Sequence, residues 1–322
     1  MEEILRQGLD LIRAVQSFAS PPLTLLMLAV TSLGSLPAYM ILLPLVYWCF
    51  DEKKGSRLAL AVLFSAWLNL SLKFLLDQPR PFFAAYDPAV GFVAERFGGF
   101  PSGHAQTSLV MFFIIASWLK KKRYRFIAAL LCLLIGFSRV YLGVHFPTDV
   151  FGGWILGGLI TGAYFLLEPR LTKFFEQGGP RVRFTACAAA AFLMILYKPS
   201  DEVLMPAAAF LGMGLGCGLN KRFIGFKARG NSGKSRGLEF LSRGGRFLTG
   251  AAGMFLLLFA SEKLLPGAEG RFGAPAIFSA NYRVFYFLRF ALIGLWNSAA
   301  APALFLALGL AGKNIEPEET PE

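Results

Sequence analysis

The sequence predicts an all-α fold, a polytopic membrane helical bundle of roughly nine transmembrane helices preceded by an N-terminal interfacial helix. Three observations lead there. Of the 322 residues, 55% are hydrophobic and 16% charged, whereas soluble domains run at about 45–50% and 25%. The mean hydropathy is +0.55. The apolar residues also gather in runs close to the length that crosses a bilayer.

Residues 1–20 set Glu2, Glu3, Arg6, Asp10 and Arg13 among apolar residues. That pattern reads as an amphipathic interfacial helix and not as a cleavable signal segment. Apolar runs follow at 22–50, 58–76, 105–119, 126–138, 150–167, 184–197, 203–219, 247–261 and 284–311. A span needs roughly 20 residues, so the shorter runs must extend into their flanks. The pair 184–197 and 203–219 reads either as two spans or as a re-entrant hairpin. The runs group into a first part, residues 21–168, with about five spans, and an extension, residues 169–312, with about four. The acidic tail 313–322 is expected to be disordered. Cys49, Cys132, Cys187 and Cys217 fall in or at the end of apolar runs without metal-ligand spacing, which suits packing.

The net charge of +12 follows from sidedness and calls for no nucleic acid. Segments 51–57, 120–125, 168–183 and 220–246, with Lys313, hold 21 of the Lys and Arg residues, and the alternate segments hold 10. The basic set, and with it the C-terminus, is expected in the cytoplasm. The N-terminus and segments 77–103 and 139–149 then face outward or toward a lumen.

Two glycine-rich stretches invite a nucleotide reading and fail it. "GMGLGCG" (212–218) does not fit G-x-G-x-x-G and follows no strand, so close helix packing through small residues is expected. "ARGNSGKS" (228–235) ends like a phosphate loop but places Ala228 where that motif needs its first glycine, and reads as a basic loop near anionic headgroups.

Chemistry concentrates in three stretches of the outward face. "KFLLDQPRP" (73–81) holds Lys73 and Arg80 seven residues apart, about two helical turns, a spacing that can put both on one face, with Pro79 and Pro81 stopping the helix and holding Arg80 near the surface. "FPSGHA" (100–105) sets Ser102 as an N-cap ahead of Gly103 and His104, and the N–H groups of a helix start make an anion site. "SRVYLGVHFPTD" (138–149) brings Arg139, His145 and Asp149, the last two spaced to share a helical face. Both histidines of the chain are in this set. Fixed cations and oriented N–H groups bind a phosphoryl group and stabilise its transition state. One imidazole can attack phosphorus, a carboxylate can fix its tautomer, and the second imidazole can protonate the leaving oxygen. No carboxylate cluster for magnesium and no third histidine for zinc accompanies them. The inventory favours metal-free, cofactor-free phosphoryl transfer through a phosphohistidine. Asn69 reads as an interhelical hydrogen-bonding residue. Arg289 reads either as lining or as snorkelling, and Glu95 with Arg96 either as a surface pair or as a lid contact.

"K-x6-RP" (73–81), "PSGH" (101–104) and "SR-x5-H-x3-D" (138–149) together resemble the three-part signature of the type-2 phosphatidic acid phosphatase superfamily, complete and in order across residues 58–165. The resemblance implies that Lys73, Arg80, Ser102, Gly103 and Arg139 bind phosphate. It makes His104 the general acid and then the base that activates water, His145 the nucleophile and Asp149 its orienting partner, with no metal. The nine-span plan and "AWLNLSLKFLL" (66–76) look like the glucose-6-phosphatase and sphingosine-1-phosphate phosphatase branch.

The expected function is therefore hydrolysis of a lipid phosphate or lipid diphosphate at the outer leaflet. The aromatic segment 81–100 would serve either as a lipid entrance or as an interfacial belt. A sugar phosphate is the alternative substrate. A vanadate-dependent haloperoxidase is disfavoured by the many spans, and a non-enzymatic membrane protein by the complete catalytic set. The expected partners are membrane lipids and the lipid phosphate itself, and the expected location a bacterial inner membrane with the site on its periplasmic side.

Overall fold

A computed structural model of the chain describes residues 2–84, 98–197, 201–229, 236–264 and 280–312. The tail 313–322, residues 230–235 of the phosphate-loop-like stretch, and residues 85–97 of the aromatic segment with Glu95 and Arg96 lie outside them.

The elements are helices throughout: α1 (Glu2–Gln16), α2 (Pro21–Ser32), α3 (Leu36–Leu45) running into a π-helical turn (Val46–Phe50), α4 (Glu52–Leu76), the short α5 (Pro81–Ala84), α6 (Gly103–Trp118), α7 (Lys122–Tyr141), α8 (Pro147–Gln177), α9 (Gly179–Leu196), α10 (Asp201–Leu219) with a π turn (Asn220–Ile224), α11 (Arg236–Leu264), α12 (Ala280–Leu295) with a π turn (Trp296–Ala300), and α13 (Ala301–Ala307). Each apolar run seen in the sequence lies on one or more of them. Among the described residues six helices are long and apolar enough to cross a membrane, and the bent pair Pro21–Ser32 and Leu36–Phe50, which turns by 49°, raises the number to seven. The nine expected spans are not reached on this measure because α6 and α9 fall outside it. The 16 residues of α6 rise only about 24 Å, short of a hydrocarbon core of about 30 Å.

The chain divides into two compact units, Met1–Met40 with Phe64–Leu171, and Ile41–Leu63 with Thr172–Glu322. Residues 41–63, which the sequence groups with the first part, belong to the second unit because their aromatic side chains pack there. Tyr47, Trp48 and Cys49 form one buried cluster with Met213, Phe226, Ala301 and Phe305. Tyr47 Oη donates to the Ser298 carbonyl at 3.0 Å and Trp48 Nε1 to that of Asn297 at 2.8 Å. The glycines of "GMGLGCG" do what small residues predict: Gly212 abuts the Ala291 backbone and Gly216 the Ser298 side chain, where any Cβ would collide. Ala228 is buried, its N–H donating to Glu52 and its carbonyl accepting from Arg246. Arg289 donates to the Leu258 carbonyl at 2.9 Å and lies 3.7 Å from Glu262, a paired arginine between α11 and α12.

In the first unit α1 is amphipathic as expected. Its exposed face carries the Arg6–Glu3 ion pair. Its apolar face seats Ile12 among Ala105, Val140, Phe146 and Val150, and Gly8 meets the Phe146 ring. On α8, Phe151, Ile155 and Leu159 recur every four residues and are each at least 60% exposed. A stripe this apolar and this bare belongs against lipid. The opposite face is glycine. Gly153 and Gly157 let α8 lie directly on the start of α6, a Cβ at Gly153 falling 2.6 Å from the Ser102 carbonyl oxygen and one at Gly157 falling 2.7 Å from that of Gln106.

Candidate active site

All the candidate residues belong to the first unit, and the structure brings them together at one end of α4, α6, α7 and α8. α4 ends at Leu76, where Asp77 takes a left-handed φ of 40°. The helix therefore stops before the prolines, and Arg80 does not continue a face begun at Lys73. It lies in the turn that follows, 2% exposed. Its Nη1 donates to the Val144 carbonyl at 2.8 Å and lies 3.3 Å from His145 Nε2. Lys73 in the last turn of α4 donates to the carbonyls of Gly98 and Gly99, at 2.6 and 3.0 Å. Those contacts hold the 98–100 segment against the α4 terminus.

His145 and Asp149 are not on one helical face, as their spacing suggested. α8 begins at Pro147, so His145 precedes the helix and Asp149 sits in its first turn. One oxygen of Asp149, Oδ2, lies 3.1 Å from His145 Nδ1 and accepts the Phe146 backbone N–H at 3.0 Å. A carboxylate on one side and a guanidinium on the other select the tautomer. Nδ1 carries the proton and points at Asp149, and the Nε2 lone pair faces Arg80. Burial, reinforced by the charges of Lys73, Arg80 and Arg139, holds this imidazole well below its ordinary value of 6.5. His145 is therefore neutral at physiological pH with its lone pair available.

Ser102 is the N-cap of α6, with φ −68° and ψ 115°, yet its hydroxyl does not cap. Its backbone N–H donates to the Asp149 carbonyl at 2.9 Å. Its Oγ is buried and has no hydrogen-bond partner among the described residues. A hydroxyl at a helix start beside cations suits an anion. Gly103 follows with no room for a side chain, because a Cβ would fall 2.9 Å from Asn69 Oδ1. His104 occupies the next position, half-buried, its ring against Gly34. Arg139 in the last turn of α7 is 2% exposed and donates from Nη1 to Thr31 Oγ1 at 2.9 Å. Among the described residues no three His, Cys, Asp or Glu side chains gather as a metal site.

Behind these groups runs a buried polar chain that the motifs do not contain. Gln106 donates to the carbonyl and hydroxyl of Ser65 at 2.8 and 3.0 Å and accepts from Asn69 at 2.8 Å. Asn69 donates in turn to the Pro101 carbonyl at 3.2 Å. Asn69 thus makes the interhelical bond expected of it, and through Pro101 it pins the turn that carries Ser102. Gln106 was legible only as a polar residue inside an apolar run.

The close approach of α8 to α6 is open to a direct test. Gly153→Val is expected to separate the Asp149 and His145 end of α8 from Ser102 and to lower phosphate release from p-nitrophenyl phosphate on the order of 10²-fold. Gly158→Val, whose Cβ meets nothing within 4 Å, should leave both turnover and the melting transition unchanged. Equal rates for the two variants would show that this packing does not set the site.

The model of the PAP2 superfamily matches residues 54–173, and that of the PAP2 superfamily phosphatase transmembrane extension matches residues 204–313. Phosphatidylglycerophosphatase B of Bacillus subtilis (strain 168) is 34% identical over 172 residues, covering 48% of this chain and 79% of the relative. Lipid phosphate phosphatase delta of Arabidopsis thaliana is 26% identical over 296 residues, covering 83% of this chain and 70% of the relative. The crystal structure of a transmembrane PAP2 type phosphatidylglycerolphosphate phosphatase from Bacillus subtilis is 29% identical and covers 54% of this chain and 89% of its own, with a TM-score of 0.46.

Proposed function

The chain belongs to the PAP2 superfamily, and from that membership we propose that it is an integral membrane phosphatase that hydrolyses a lipid phosphate or lipid diphosphate at the outer or luminal face, through a metal-free phosphohistidine. The observation that carries this reading is the setting of His145: its Nδ1 lies 3.1 Å from Asp149 Oδ2 and its Nε2 3.3 Å from Arg80 Nη1.

Lys73, Arg80, Arg139, the Ser102 hydroxyl and the N–H groups at the start of α6 hold the phosphoryl oxygens. Nε2 of His145 attacks phosphorus. The bond from phosphorus to the leaving oxygen breaks as that oxygen takes a proton from His104. Asp149 stabilises the positive ring that results. Neutral His104 then removes a proton from water, the water oxygen attacks, and the phosphorus–nitrogen bond breaks to release phosphate and restore His145. The cations and the helix start neutralise the transferred charge themselves, the work a metal would otherwise do.

Two things support a lipid as the carrier. Curated relatives include phosphatases named for phosphatidylglycerophosphate and lipid phosphate, although others are named glucose-6-phosphatase catalytic subunit 1, at 30% identity, and keep the sugar phosphate as the second reading. The bare apolar stripe of α8 also begins at Phe151, two residues beyond Asp149, which supports an approach from the lipid side. The outward orientation rests on the excess of Lys and Arg in segments 51–57, 120–125, 168–183 and 220–246 over the alternate segments that carry the site. The purified protein, offered long-chain lipid phosphates, lipid diphosphates and glucose 6-phosphate in detergent, with and without EDTA, is expected to prefer a lipid by a wide margin and to keep its activity in EDTA. Equal or reversed preference would replace the lipid with a sugar phosphate, and loss in EDTA would remove the metal-free mechanism.

A further inference from the structure

α2 contributes to the site although no motif touches it. Thr31 and Thr24 are seven residues apart, two turns along one face of α2. That face meets the end of α7 with both hydroxyls. Thr24 Oγ1 lies 2.8 Å from Tyr141 Oη, and Thr31 Oγ1 accepts from Arg139 Nη1 at 2.9 Å. Thr31 is buried, as is Arg139. It lies in the last turn of α2, where the helix C-terminus favours a cation. The chain then breaks: the Gly34 N–H returns to the Thr31 carbonyl at 3.0 Å, and Gly34 itself passes the His104 ring, where a Cβ would fall 3.2 Å from Cδ2.

We propose that Thr31 is a positioning residue for the phosphate-binding Arg139, and that the break between α2 and α3 forms one wall of the active site. A guanidinium is planar, and a bond to one of its nitrogens fixes the plane in which the others present their N–H groups. Thr31 sets that plane from a helix 108 residues away in sequence. Valine in its place keeps the volume but leaves a buried N–H without its acceptor. The guanidinium then turns to find another and no longer matches the phosphoryl oxygens.

The proposal rests on Arg139 binding phosphate, so the experiment carries an arm for each. The probe is orthovanadate, which takes a five-coordinate geometry resembling the phosphoryl transition state. Its inhibition constant is measured for the full-length protein and for Thr31→Val, Thr31→Ser, Thr24→Val and Arg139→Ala, each with its melting transition in detergent. Thr31→Val is expected to weaken vanadate on the order of ten- to a hundredfold, Thr31→Ser to restore it to within about threefold, and Thr24→Val to leave it unchanged. If Arg139→Ala weakens vanadate and Thr31→Val does not, the role given to Thr31 is overturned. If Thr31→Val and Thr24→Val weaken it equally, the effect is one of α2–α7 packing and the proposal fails. If Arg139→Ala has no effect, the reading of Arg139 beneath it is what falls. Thr31→Ala replaces the valine variant should the latter lose its melting transition.

Discussion

His145→Ala is expected to abolish turnover, by at least about 10⁴-fold, and to remove all acid-labile phosphate from the protein after mixing with labelled substrate. His104→Ala should behave differently. Loss of a general acid and base costs about 10²–10⁴-fold, but a substrate with a good leaving group needs little acid. With p-nitrophenyl phosphate the first step then survives in this variant while the activation of water does not. Phosphate should accumulate on His145, visible as a burst of nitrophenolate stoichiometric with protein and as a base-stable, acid-labile phosphoprotein. The two rings are distinguished by their surroundings. His145 is 2% exposed, oriented through Nδ1 by Asp149 with Nε2 on the Arg80 side, as suits a nucleophile whose lone pair must stay available. His104 is half-buried beside Gly34, where a leaving group and water can reach it. Phosphoprotein forming in His145→Ala and not in His104→Ala would exchange the two roles.

The residues of this site could be named from the sequence because cations, imidazoles and a carboxylate are costly in an apolar chain and stand out there. Their arrangement was legible in part. The N-cap position of Ser102 was foreseen, but not that its hydroxyl would be left for a ligand. The spacing of Lys73 and Arg80 suggested one helical face, and it misled because Asp77 ends the helix early and Arg80 reaches the site from a turn. His145 and Asp149, four apart, suggested a helical pair for the same reason, whereas their bond crosses a helix start. Periodicity reports elements and is blind to the turns that end them. Thr31, Gln106 and Ser65 carried no signal beyond being polar residues in apolar runs. A hydroxyl or an amide in an apolar run is ordinary, and only its partner, 41 residues away for Gln106 and Ser65, makes it part of a site. Length and composition bear out six spans, or seven with the bent pair, of the nine expected among the described residues, because an apolar run gives composition and not the length of straight helix that the fold draws from it, as α6 shows.

Asp149→Asn is the second change with a large expected effect, and it separates two things a carboxylate can do. Asp149 Oδ2 accepts from both His145 Nδ1 and the Phe146 N–H. The Phe146 donor is backbone and cannot turn away, so in the asparagine variant it recruits the amide oxygen to the Oδ2 position and leaves the NH₂ on the other side. The oxygen then still accepts from His145, and the tautomer with its lone pair on Nε2 is retained. What asparagine removes is the negative charge. That charge matters little to a neutral ring and a great deal once Nε2 bonds to phosphorus and the ring turns positive 3.1 Å away. The variant is therefore expected to fold, to bind inorganic phosphate within about threefold of the parent, and to lose kcat on the order of 10³-fold, about 4 kcal/mol. Asp149→Ala, which also frees the ring and strands the Phe146 N–H, should lose more and melt lower. ¹⁵N shifts of the His145 ring supply the check: Nδ1 protonated in both parent and asparagine variant, with kcat collapsed, assigns the loss to charge. A proton moved to Nε2 would assign it to the tautomer instead, and unchanged kcat would mean that His145 never becomes cationic on the reaction path.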